Sequence, residues 1–200
     1  MENGYRFNQS KNSIDVNYTN YYWFENGFSP SELISIEQMT SDLEFQKAGI
    51  GELNETNRVD SVRKSSVKWC PQNENWEWVY SKLHDMIVEA NEQMWGFDLT
   101  SMREQIQYTE YYEGGGHYTW HMDCGIGIQN QRKVSVTVQL SGEDEYEGGD
   151  LEFNVGKNMV APRGKGNVVI FPSFYLHRVT PVTKGTRKSF VLWVGGEPYK

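Results

Sequence analysis

The chain has 200 residues and a formal net charge of −8, a length that fits one domain with a real core. The acidic balance argues against a nucleic-acid partner, which asks for a basic face, and no run approaches the roughly 18 apolar residues of a membrane span. Two cysteines, Cys70 and Cys124, make no disulfide framework, and the opening MENGYRFNQSKNS has no apolar secretory core. A soluble protein of a reducing, cytoplasmic compartment is expected, with the Asn-x-Ser/Thr triplets at Asn8, Asn17 and Asn54 as chance matches.

The first half reads as helical. In FSPSEL, Ser29 is an N-cap, Pro30 takes the first helical position, Glu32 closes a capping box, and Phe28 is placed to staple onto Leu33. Ile36, Met39 and Leu43 extend the apolar stripe. Residues 51–66, GELNETNRVDSVRKSS, are polar without a period and predict a long loop. From Trp76 to about Trp95, the recurrence of Val79, Leu83, Ile87, Ala90 and Met94 predicts a second helix.

The second half changes period. Short runs rich in β-branched and aromatic residues alternate with glycine-containing breaks: IQYTEYY, HYTWHMD, KVSVTVQL, DLEFNV, NVVIFP, LHRVTPV and KSFVLWV. Several strands at close spacing after two helices predict a mostly β sandwich or barrel with helices packed on one side. The acidic GEDEYEGGD is read as a solvated loop.

The stretch GGGHYTWHMDCG, residues 114–125, raises the question of a metal. On a helix, His117 and His121 would share a face, but three glycines and the aromatic, β-branched HYTW disfavour a helix there. On a strand, His121 and Asp123 are adjacent on one face, while His117 lies about 13 Å along it, too far to share an ion. Four histidines exist; His84 falls within the second predicted helix, which leaves His177, near a strand start and expected on the far side of the barrel. Two histidines and one carboxylate, with three open positions, form the facial triad of non-haem Fe(II) oxygenases. The alternative for His177 is capping or packing of a strand.

Ten residues after His177, GTRKSFVLWVGG places Arg187, Ser189, Val191 and Trp193 on one face of the last strand and Lys188 on the other. A buried arginine on a pocket face needs an anion, and its planar fork fits a carboxylate. A 2-oxo dicarboxylate satisfies both centres, chelating iron at its keto-acid end and meeting Arg187 at the other.

YEGGGHYTWHMD, EGGDLEF and GNVVIFPSFYLHRVTPVTKGTRKSFVLWV resemble the prolyl 4-hydroxylase-like branch of the Fe(II)/2-oxoglutarate dioxygenases, especially stand-alone bacterial and phage-type members, over roughly residues 105–196. The resemblance implies a double-stranded β-helix (jelly-roll) core with the N-terminal helices on one sheet. It divides a single domain, 1–200, into helical support and loop (1–104) and catalytic core (105–196). It implies iron ligands His121, Asp123 and His177, and pairing of Arg187 with the distal carboxylate of 2-oxoglutarate. It further implies a hydroxyl of Tyr112 on 2-oxoglutarate, pocket-lining Tyr118 and Trp193, and a secondary place for Ser189. Asp123, where related halogenases have a small residue, favours hydroxylation.

The implied reaction uses Fe(II), 2-oxoglutarate and O₂, with ascorbate as a possible reductant, and hydroxylates an unactivated C–H with release of succinate and CO₂. A prolyl residue in a protein or peptide is the favoured substrate, with loop 51–66 and turn 141–149 flanking a groove. A free amino acid or small metabolite is the alternative within the enzyme class. Outside it stand a non-catalytic metal-binding jelly-roll module and a zinc or manganese hydrolase, which would leave Arg187 unexplained. Nothing in the sequence assigns an oligomeric state.

Overall fold

In the computed structural model, residues 21–48 and 60–197 are described. The three glycosylation-like triplets and residues 51–59 of the expected loop lie outside them. Helix α1 spans Pro30–Ser41, with the Ser29 side chain accepting from the Glu32 N–H and the Glu32 carboxylate accepting from the Ser29 N–H, as the capping box requires. Helix α2 spans Glu77–Met94 and buries Val79, Tyr80, Leu83, Ile87 and Ala90. Asn91 closes its end, bonding both the N–H and the carbonyl of Phe97.

The strands form two antiparallel sheets. The main sheet runs in the order β1 (Tyr22–Phe24), β12 (Val168–Pro172), β8 (Arg132–Gln139), β13 (His177–Gly196), β6 (Ile106–Tyr112), β4 (Ser66–Cys70) and β2 (Gln46–Lys47), with β5 (Leu99–Ser101) on the end of β13. In the second sheet the first half of β13 lies between β7 (Gly116–His121) and β10 (Leu151–Asn154). Strand β3 (Arg63–Lys64) joins β7, β11 (Asn158–Val160) joins β10, and β9 (Tyr146–Gly148) joins β13.

Alternation gives the main sheet two unlike faces. Val134, Val136, Val138, Phe190, Leu192 and Val194 share one apolar core with Phe28, Leu33 and Ile36 beside α1 and Val79, Leu83 and Ile87 of α2. The opposite positions, Ser135, Thr137, Gln139, Gln107, Thr109 and Ser189, are polar yet buried, because they face inward between the sheets. Val169 and Phe171 from the main sheet close that interior against Leu151 and Phe153 of the second. The architecture is a mostly β jelly roll with its helices on one sheet.

Four expectations need correction. Among the described residues the first half supplies five strands besides its helices, because the edges of both sheets need pairing. Part of the expected loop is β3 and the start of β4, and part of the acidic turn is β9, whose Tyr146 is buried. LHRVTPV and KSFVLWV are one strand of 20 residues, not two: Gly185 (φ 70°) lets the chain pass between sheets without ending it.

The apolar face between the helices and the main sheet carries stability. Leu83→Ala, at a fully buried position, is expected to cost about 2–5 kcal/mol, and loss of the Ser29 cap in Ser29→Ala about 1 kcal/mol, both read as lowered urea midpoints.

Candidate metal centre

His121 is the last residue of β7 and His177 the first of β13, and the two are direct cross-strand partners. The expected far-side placement of His177 is therefore wrong: β13 begins beside β7. Asp123 lies two residues beyond the end of β7, tied down by its N–H donating to the Ser173 carbonyl at 2.9 Å. The His121 Nε2 is 3.6 Å from Asp123 Oδ1, and the His177 Nε2 is 3.6 Å from Oδ2. One ligand atom from each residue falls within 4.8 Å of the others, a spacing that a single ion bridges.

Both rings are oriented by their own chain. The His121 Nδ1 donates to the Thr119 carbonyl and the His177 Nδ1 to the Tyr175 carbonyl, each at 2.8 Å. A carbonyl only accepts, so each Nδ1 carries a proton, and Nε2 is the ring nitrogen turned toward the metal position. Burial pushes the His177 imidazole down to about 4, so it is neutral at pH 7. Burial raises the Asp123 carboxyl, but His177, His121 and the Ser135 hydroxyl outweigh it and hold it below the usual carboxylate range. Two imidazole nitrogens and one carboxylate are a donor set that fits ferrous iron.

Asp123 has its own supports. The Ser135 hydroxyl donates to Oδ2 at 2.7 Å and shares a 2.9 Å hydrogen bond with the Ser173 hydroxyl. Arg132 donates to the Asp123 carbonyl, is paired with Glu104, and stacks over the Trp193 ring at 3.8 Å.

The triad lines a cavity between the sheets, and Arg187 lines the same cavity. Arg187 is 3 % exposed; it donates to the Ser189 hydroxyl at 3.1 Å, and among the described residues no carboxylate pairs with it. Ser189, Val191 and Trp193 share its face as expected, while Lys188 emerges on the other side near Glu37. Tyr118 stacks on the His121 ring at 3.5 Å.

Tyr112 is not in this pocket. It is 40 % exposed, and its hydroxyl donates to Glu110 on the opposite side of β6. Register decides this: Tyr111 is the cross-strand partner of Arg187, and its ring lies 5.6 Å from the guanidinium. His117 is held by the Gly115 and Ser61 carbonyls away from the triad, and His84 is exposed beside Asp85. The sequence reading missed Arg63, which bonds Ser65 and Gln107 and lies 4.8 Å over Tyr118, and the Arg132–Glu104 pair. It also missed Ser135, although the polar positions of KVSVTVQL carried a signal for an inward polar face.

Ser135→Ala removes the hydrogen bond that orients Asp123. It is expected to lower metal affinity about tenfold without loss of fold, measured by calorimetric titration with Zn(II).

Comparison with known proteins agrees with this geometry. Residues 106–195 match the 2OG-Fe(II) oxygenase superfamily. A PKHD-type hydroxylase of Burkholderia ambifaria is 34% identical over 125 residues, covering 58% of this chain and 55% of the relative. One from Delftia acidovorans is 42% identical over 90 residues, covering 41% and 39%. The chain thus spans about half or less of the length of the curated relatives it matches. In fold it is similar to a Trichoplax adhaerens prolyl hydroxylase solved with a hypoxia inducible factor peptide fragment (TM-score 0.72, 19% identity, 90% of this chain and 86% of that one). It is also similar to a Pseudomonas putida prolyl-4-hydroxylase (TM-score 0.67, 19% identity, 88% and 92%). The likeness to the 2OG-Fe(II) oxygenase superfamily thus falls on the segment that carries the triad and Arg187, residues 106–195.

Proposed function

We propose that the protein is a 2-oxoglutarate-dependent dioxygenase that hydroxylates an unactivated C–H, with a prolyl residue of a protein or peptide as its substrate. The observation that carries the reaction class is a buried guanidinium that no carboxylate of the described residues pairs with, sharing one cavity with a two-histidine, one-carboxylate donor set. A zinc or manganese hydrolase would give Arg187 no partner; a 2-oxo diacid gives it one.

His121, Asp123 and His177 would hold Fe(II), and Arg187 would hold the distal carboxylate of 2-oxoglutarate through its planar fork. When bound, ferrous iron, 2-oxoglutarate and O₂ supply the oxidising chemistry that turns C–H into C–OH and releases succinate and CO₂. The chain's own contribution is placement. Tyr111 beside Arg187 offers its hydroxyl to the same carboxylate, in the role expected of Tyr112. Ser189 holds the guanidinium, while Tyr118 and Trp193 wall the cavity against water. The prolyl assignment draws support from the PKHD-type relatives and from the fold shared with prolyl hydroxylases, one solved with a peptide fragment.

Anaerobic addition of Fe(II) and then 2-oxoglutarate should give a weak visible charge-transfer band in the wild type and none in Asp123→Ala, which stays folded. Metal binding without a band would exclude 2-oxoglutarate as cosubstrate. Proline-containing peptides should then gain one oxygen in step with succinate release. Oxygen gained by free proline but not by peptides would move the substrate to a small metabolite.

A further inference from the structure

The two glycines of EGGD have no place in the chemistry above, yet the second, Gly149, lies against the Arg187 side chain. Gly148 ends β9 and Gly149 follows it, both with positive φ, 72° and 65°. At Gly148 the reason is backbone: a Cβ there would stand 2.2 Å from the Pro181 carbonyl oxygen. At Gly149 the φ of 65° strains any L side chain, and the three atoms nearest a Cβ all belong to side chains. A Cβ would meet Val182 Cγ2 at 2.9 Å, Arg187 Cδ at 3.1 Å and Tyr146 Cδ2 at 3.2 Å.

Two of those neighbours are fixed. Val182 is fully buried and stiff at its branched Cβ. Tyr146 is buried, its hydroxyl accepts from Gln139 Nε2 at 2.9 Å, and the Arg163 guanidinium covers its ring at 4.4 Å. Arg187 is the neighbour with rotatable bonds, so it is the one that would give way. Its Cδ is two bonds from the centre of the guanidinium, and a shift at Cδ is passed on to the fork that receives the carboxylate.

We propose that Gly149 is the positioning residue for Arg187: the bare α-carbon sets where the guanidinium stands and so the length of 2-oxo diacid that spans from metal to arginine. This rests on the functional reading above. The residue touches no ligand and acts through Arg187. A methyl group at 149 displaces the fork, and a site built to hold a carboxylate bidentately loses affinity when its donors move by a fraction of an ångström.

The test is the anaerobic affinity of Gly149→Ala for 2-oxoglutarate, measured beside its affinity for pyruvate. Pyruvate presents the same chelating atoms but is too short to reach Arg187. Expected are a loss of about tenfold for 2-oxoglutarate, unchanged pyruvate and Fe(II) affinities, and no further loss when Gly149→Ala is added to Arg187→Ala. A role in the fold alone would lower both keto acids and the melting temperature together. That result, an unchanged 2-oxoglutarate affinity, or a full additional loss in the Arg187→Ala background would overturn the proposal. If Gly149→Ala does not fold, the same comparison is made with Val182→Ala present in both proteins, which removes the stiffest contact and keeps the one to Arg187. A wild type that binds Fe(II) and pyruvate but not 2-oxoglutarate would overturn the functional reading, and this proposal with it.

Discussion

Drawn straight, ten residues of strand would hold His177 and Arg187 about 33 Å apart, yet both line one cavity. The bend in β13 is what makes that possible. Its register slips against β7 between His177 and Val179 and again before Val182, and against β9 between Val182 and Lys184. Gly185 then carries the chain into the main sheet, where a Cβ would stand 2.1 Å from the Glu145 carbonyl oxygen. The strand keeps its hydrogen bonds in both sheets while it turns, so the two ends of the site are held by the same covalent segment. Irregularities of this kind re-aim side chains at the cost of local pairing.

The second constraint is the inward polar face of the main sheet. A buried polar group without a partner costs about 1–3 kcal/mol, so the interior has to be satisfied before any ligand arrives. Thr137 donates to the Phe190 carbonyl, Gln139 to the Tyr146 hydroxyl, and Arg63 to Gln107. Ser135 joins Asp123 to Ser173. These bonds hold the ligand-bearing groups in place in advance, and preorganised dipoles of this sort need no rearrangement when charge enters.

What was legible in the sequence was what depends on local periodicity. The Ser29 cap and the stripe of α2 follow from neighbours three and four apart. The choice of His121 with Asp123 over His117 follows from the alternation of an extended chain, even though β7 itself stops at His121. What was not legible depends on pairing between distant segments. TEYYEGGG offers two adjacent tyrosines, and only the register of β6 on β13 shows that Tyr111, not Tyr112, stands opposite Arg187. Arg63 sits in a polar stretch with no period and gains its place through pairing with β7 and its bond to Gln107 of β6. The continuity of β13 was hidden by Lys184–Gly185, which looks like a turn when read one segment at a time.

Because one face of the main sheet packs on the helices and the other lines the cavity, stability and chemistry are written at alternate positions of the same strands. Val134, Val136 and Val138 answer to the helices; Ser135, Thr137 and Gln139 face the interior between the sheets, where Thr137 lines the cavity and Ser135 steadies Asp123. An exchange at an inward position reshapes the cavity while leaving the apolar layer behind it intact. Such a sheet lets descendants of one chain diverge in what they recognise while inheriting the same apolar layer, so long as each new interior polar group finds a partner.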